Sequence, residues 1–122
     1  MPMWTYYNPN PVAVRVGDCA VRAVAKAIGC SWEEAYLRLA LMGLQMGDMP
    51  SANNVWGGVL RQNGFRRFAI DNGTVEDFCN RHPKGTYVLT LDHHVVAVEN
   101  GTVFDTWDCR KEEPVYFWSR EE

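Results

Sequence analysis

Between Asp18 and Gly29 the apolar positions Val21, Val24, Ala25 and Ile28 recur at helical spacing, and the run closes on a glycine suited to a left-handed C-cap. Ser31-Trp32-Glu33-Glu34 sets a serine three residues ahead of a glutamate. That capping box predicts a second helix to about Leu41, with Trp32, Ala35, Tyr36 and Leu39 on one face. The segment Gly43 to Pro50 reads as a loop, and Ser51 as the cap of a third helix running to Asn63, with Gly64 ending it. Gly57-Gly58 inside this helix costs roughly 1 kcal/mol per glycine against alanine, which implies close packing against another backbone. A strand, Phe65 to Ile70, follows, and Thr74-Val75-Glu76-Asp77 opens a short helix to about Arg81.

Beyond His82-Pro83 the period changes to that of strands: 86–91, 93–99, 102–108 and 114–119, rich in β-branched and aromatic residues. Asn100-Gly101 between two such runs is a strong signal for a two-residue hairpin turn. The turn sets a register in which Glu99 faces Thr102, Val96 faces Asp105 and His94 faces Trp107. His94 and Asp105 then become diagonal neighbours on one face, about 7 Å apart at the backbone. His93 and Asp108 form the matching couple on the other face. Because Val96, Val98, Val103 and Trp107 make the His94 face the more apolar one, the first helix is expected to cover that face. Helices first and an antiparallel sheet after them define an α+β fold over residues 1–122, with residues 1–11 as an extended surface arm.

Composition narrows the function classes. With net charge −3 and only Arg66-Arg67 as a basic pair, the chain has no phosphate-tracking patch, so no nucleic-acid partner is expected. No apolar run approaches the roughly 18 residues of a membrane span, and no secretory signal opens the chain, so neither membrane nor export is expected. The 4 cysteines are scattered without a CxxC pair, which points to a reducing, cytoplasmic setting without structural zinc. Adjacent strand residues point to opposite faces, so His93 and His94 are not expected to share a metal.

The remaining chemistry concerns Cys19. A cysteine at a helix N-terminus feels the positive end of the helix dipole, and a nearby imidazolium lowers its pKa further. The free N–H groups of that first turn supply half of an oxyanion hole. A histidine oriented by a carboxylate, His94 by Asp105, is the other half of a nucleophilic triad. Arg22 is read as solvated, and Cys30, Cys79 and Cys109 as inert.

A cysteine opening the first long helix, a strand beginning with histidine and Asx on the next strand together resemble the papain-like cysteine peptidase superfamily. Asp105-Thr106-Trp107 is similar to that superfamily's Asn-Ser-Trp, in which the tryptophan shields the histidine, here Trp107. Gly17-Asp18-Cys19-Ala20 is similar to the start of the bacteriocin-processing peptidase domains of ABC transporters, and the chain resembles small papain-fold proteins of bacteria and their phages. The resemblance implies a papain-like fold and acyl transfer on a peptide or protein substrate in the cytoplasm of a bacterium or phage-infected cell, without a cofactor. Cys19 would be the nucleophile, His94 the base and Asp105 its orienter. The superfamily commonly places a glutamine six residues before the nucleophile, and here that position is Ala13. The upstream amide expected to replace it is Asn10, with the Cys19 N–H as the other donor; loss of such a donor costs on the order of 10²–10³ in rate. Two alternatives remain: a papain-fold adaptor or inhibitor that has lost catalysis, and an acyl or glutamyl transferase.

Overall fold

The computed structural model describes residues 3–120 and contains four α-helices and one six-stranded sheet. The elements are β1 (Met3–Tyr6), α1 (Cys19–Ile28), α2 (Trp32–Met46), α3 (Asn53–Gln62), β2 (Arg66–Ala69), α4 (Val75–Arg81), β3 (Thr86–Leu91), β4 (His94–Glu99), β5 (Thr102–Asp105) and β6 (Tyr116–Ser119). The strand order is β1-β5-β4-β3-β6-β2. The fold is α+β, but the sheet is mixed: β1 lies parallel to β5, and every other neighbouring pair is antiparallel. Within the extended N-terminal arm, Met3–Tyr6 forms an edge strand of the sheet; residues 1–2 lie outside the described residues.

Local chemistry accounts for most boundaries. Gly29 at φ 74° ends α1, and the Ser31 side chain caps α2 by accepting from the Glu34 N–H. Thr74 and Asp77 form a reciprocal capping box on α4. Helix α2 passes Leu41 and runs to Met46, ending at Gly47 with φ 68°. Gly43 sits inside it because a Cβ there would lie 2.8 Å from the Asp48 carbonyl oxygen. For α3 the N-cap is Ala52, not Ser51, and no side chain caps it. The Gly57-Gly58 pair packs on side chains and not on backbone: Gly57 under the Trp118 ring, Gly58 beside the Met42 thioether.

The Asn100-Gly101 turn has both residues at positive φ, 51° and 76°, and the ladder Glu99↔Thr102, Val98↔Val103, Ala97↔Phe104 follows the sequence register. Four strands, β2, β4, β5 and β6, are shorter than expected, and two of these differences bear on the site. His93 is not in β4; with φ 59° it forms the second residue of a two-residue turn closed by Leu91↔His94. Strand β5 stops at Asp105, whose Oδ1 accepts the next N–H, of Thr106, at 2.7 Å and turns the chain out of the ladder.

The sheet has a core on each face. Helices α1, α2 and α3 pack with Val88, Val95 and Trp118 on one side; Val75, Phe78 and Cys79 of α4 pack with Leu89, Val96, Val98 and Val103 on the other. Helix α1 therefore covers the face of Val95 and Ala97, not the Val96/Val98 face on which the register places His94. The apolar character of that second face is satisfied by α4. No described helix is long and apolar enough to cross a membrane.

Candidate active site

Helix α1 and the sheet meet where β4 and β5 part. The β4–β5 ladder ends at Ala97↔Phe104, while β5 continues along β1 to Tyr6↔Asp105. His94 and Asp105 flank this opening and close it with a 2.6 Å contact between His94 Nε2 and Asp105 Oδ2. Cys19, the first residue of α1, enters from the helix side, hydrogen-bonded to the His94 ring and to the backbone N–H of Val95. Cys19 and His94 thus meet although α1 covers the opposite face, because both stand at the end of their elements.

The carboxylate between these groups is over-determined. Asp105 is 1% exposed; its Oδ1 accepts the Thr106 N–H and the Arg22 guanidinium, the latter at 3.1 Å, leaving Oδ2 to His94. Its carbonyl accepts the Tyr7 N–H at 2.9 Å and the Trp4 indole N–H at 3.2 Å, so β1 pins the residue from behind. The Cys109 thiol also hydrogen-bonds Asp105. Trp107 lies with its ring 4.9 Å from the His94 ring and covers one side of it, although the tryptophan itself is 39% exposed.

Electrostatics follow from these contacts. Burial opposes charge on His94, but the hydrogen bonds to Asp105 and Cys19, reinforced by their negative charges, outweigh it and raise the imidazole from 6.5 to about 9. Burial would raise the Cys19 thiol; the His94 and Val95 hydrogen bonds and the charges of His94 and Arg22 reverse this and lower it. The other cysteines go the opposite way: burial pushes Cys79 to about 11 and also raises Cys30 and Cys109.

Asp18, the N-cap residue of α1, makes no side-chain cap. Its carboxylate is bound instead by Arg22 and by the Trp32 indole N–H, the latter at 2.9 Å. The N–H groups of the first turn of α1, that of Cys19 among them, therefore receive no cap from the N-cap side chain. Cys19 and His94 line two shallow cavities that share Gly17 and His93. One, of about 500 Å³, has walls of Trp56, Thr90, Val115 and Tyr116; the other, of about 460 Å³, is walled by Arg15, Thr106 and Trp107.

Asn10 is not in either cavity. It is buried beside Asp18 and Trp32 in the wall of a third, more apolar cavity, and its Oδ1 accepts the Val12 N–H at 3.0 Å. His93 and Asp108 form no couple: the His93 side chain is 93% exposed next to Asp92, and Asp108 is held by Arg110. Arg22, read from sequence as solvated, is 5% exposed and bridges two carboxylates. Its i, i+4 spacing from Asp18 was the one sequence signal of that pairing.

Among the described residues the single His/Cys/Asp/Glu group close enough to share an ion is His94, Asp105 and Cys109, whose ligand atoms lie within 4.8 Å of one another. Each is already engaged, and the Arg22 guanidinium at Asp105 would face an arriving dication with a fixed positive charge. The arrangement can hold a thiolate beside an imidazolium and present that thiolate to solvent. Comparison of the chain with family models, with curated proteins and with solved structures returns no match.

Proposed function

We propose that the protein is a papain-like cysteine hydrolase, a peptidase or amidase working by acyl transfer. The observation that carries this reading is the chain of contacts from Cys19 to His94 and from His94 Nε2 to Asp105 Oδ2 at 2.6 Å, with the thiol at the start of a helix whose N–H groups are uncapped. With Nε2 committed to Asp105, the other ring nitrogen serves the sulfur. The Cys19 thiolate forms a bond to a substrate carbonyl carbon, and the charge moving to the carbonyl oxygen is met by the free N–H groups of the first turn of α1. Collapse of this adduct breaks the C–N bond, and His94 delivers its proton to the leaving amine. Neutral His94 then takes a proton from water as that water attacks the thioester, releasing the acid and restoring the ion pair.

The position of Asn10 favours a second reading, a papain-fold binding protein that has lost turnover. In the two cavities at Cys19 the side-chain amide present in the lining is that of Asn53 on α3, whose Oδ1 already accepts the Trp56 indole N–H at 3.1 Å. Iodoacetamide labelling at pH 6.5, read by peptide mass, tests the first reading. Cys19 is expected to react at least about tenfold faster than Cys30. Equal rates would remove the activated thiol. Fast labelling combined with no turnover of a mixed peptide library, and no thioester trapped by a peptidyl ester, would favour the binding protein.

A further inference from the structure

A histidine oriented by a carboxylate does not of itself require a cation behind that carboxylate, yet one is built there. Arg22 is 5% exposed on the third residue after Cys19, and its guanidinium joins Asp18 Oδ1 through Nη1 to Asp105 Oδ1 through Nη2. The remaining oxygen of Asp18 is fixed by the Trp32 indole at the start of α2. A buried guanidinium is costly unless paired, and here its fork is matched on two sides by carboxylates that are themselves buried.

We propose that Arg22 is a positioning residue of this site: the bridge from Asp18 through Arg22 to Asp105 locks the carboxylate in the rotation that aims Oδ2 at His94, and it holds the N-cap aspartate away from the helix N–H groups beside Cys19. The proposal rests on the cysteine–histidine reading above. Two features carry it. Oδ1 of Asp105 receives both the Arg22 N–H and the Thr106 N–H, so Oδ2 has His94 as its partner. And Asp18 stands where an aspartate ordinarily caps its own helix, but its carboxylate is bound to Arg22 and Trp32.

The titratable and charged groups facing this bridge include His94 on β4, the Cys109 thiol and beyond it Asp108, Tyr7 after β1, Cys19 itself, and Arg15 and His93, which line a cavity with Arg22. Without Arg22, two carboxylates would remain in one buried site with no fixed cation between them. The Asp105 carboxylate would then lose the contact that fixes its rotation, and His94 would lose part of the hydrogen bonding that holds it as an imidazolium beside the sulfur.

The test is the pH dependence of Cys19 alkylation by iodoacetamide in the full chain, for wild type, Arg22→Met and Arg22→Lys, with far-UV circular dichroism and thermal melting in parallel. In Arg22→Met the midpoint of the acid limb is expected to rise by about one pH unit or more, an approximately tenfold slower reaction below it. Arg22→Lys, which keeps the charge but not the fork, should recover part of that shift. A folded Arg22→Met with an unmoved midpoint would overturn the proposal and leave Arg22 a structural ion pair. Should Arg22→Met not fold, Arg22→Lys decides alone, since an unmoved midpoint there overturns the positioning role and a raised one supports it. If wild-type Cys19 shows no acid limb below that of Cys30, the cysteine–histidine reading fails first, and the proposal with it.

Discussion

His94 Nε2 and Asp105 Oδ2 lie 2.6 Å apart at the point where β4 and β5 separate. The imidazole is held at about 9 against an ordinary 6.5, so the folded state binds its proton more tightly than the unfolded chain does. The resulting stabilisation is fully present below about pH 6.5 and is lost as pH rises through about 9. At most it is on the order of 3 kcal/mol. Urea midpoints of wild type and His94→Gln at pH 6, 7.5 and 9.5 should therefore differ most at pH 6 and converge by pH 9.5. A gap that widened with pH would reverse the sign and contradict the ion pair.

The two adjacent glycines of α3 should respond in opposite ways. A Cβ on Gly57 would stand 3.0 and 3.1 Å from ring atoms of Trp118, which is 2% exposed and held between α3 and the sheet. Gly57→Ala should cost about 1–3 kcal/mol by overpacking. On Gly58 the nearest atom would be the Met42 sulfur at 3.4 Å, the end of an adaptable side chain. Gly58→Ala should be neutral or stabilising by up to about 1 kcal/mol through helix propensity. Chemical denaturation of the two variants side by side checks the contrast.

His93 adopts φ 59° in the two-residue turn before β4, and its side chain is almost wholly in water. His93→Gly should raise stability by about 0.5–1 kcal/mol, because glycine takes that backbone conformation without strain. Alkylation of Cys19 should be unchanged in His93→Ala and in Asp108→Ala, and slowed in His94→Ala. Equal effects at His93 and His94 would mean that the β4 turn lies one residue from where it is described.

Asn10 tests a different expectation. Its Oδ1 accepts from Val12 and its carbonyl from Ala13, which holds the loop after β1 with Ala13 at φ 56°. Asn10→Ala should lower stability by about 1 kcal/mol through the lost hydrogen bond and leave the rate of Cys19 alkylation unaltered. A large loss of peptide turnover with unchanged stability would return Asn10 to the oxyanion hole.

The legible parts of the sequence were those governed by local chemistry. Asn100-Gly101 determined the β4–β5 register because both turn residues must take positive φ, and the register carried His94 and Asp105 to the same neighbourhood. Cys19 at the head of α1 followed from the apolar period after it. What was not legible depends on distant partners. Which sheet face α1 covers was decided by α4 taking the other one, and no pattern within β4 says so. Arg22 looked like one more helix-surface arginine because Asp105, its second partner, is far along the chain. Asn10 could be placed near Asp18 or near the sulfur only by the fold of a loop whose proline-rich sequence has no period.

Asp105 should not tolerate asparagine. The neighbours of the carboxylate are donors when the site is charged: His94 Nε2–H on Oδ2, Arg22 with the Thr106 N–H on Oδ1, and the Cys109 thiol. A carboxylate accepts on both oxygens, whereas a carboxamide offers one acceptor and one donor. Asp105→Asn must therefore turn its NH₂ toward either His94 or Arg22 and leave a buried donor facing a donor. It also removes one of the two charges that balance Arg22, a loss of roughly 3–5 kcal/mol where a buried pair is broken. Asp105→Asn should thus slow Cys19 alkylation near pH 6.5 about as much as Asp105→Ala, and should melt well below wild type. Replacing Arg22 by Met in the Asp105→Asn background removes one of the competing donors, so the double variant should be more stable than the sum of the two single losses predicts. Strict additivity in that cycle would mean that Arg22 and Asp105 do not interact through the contact described.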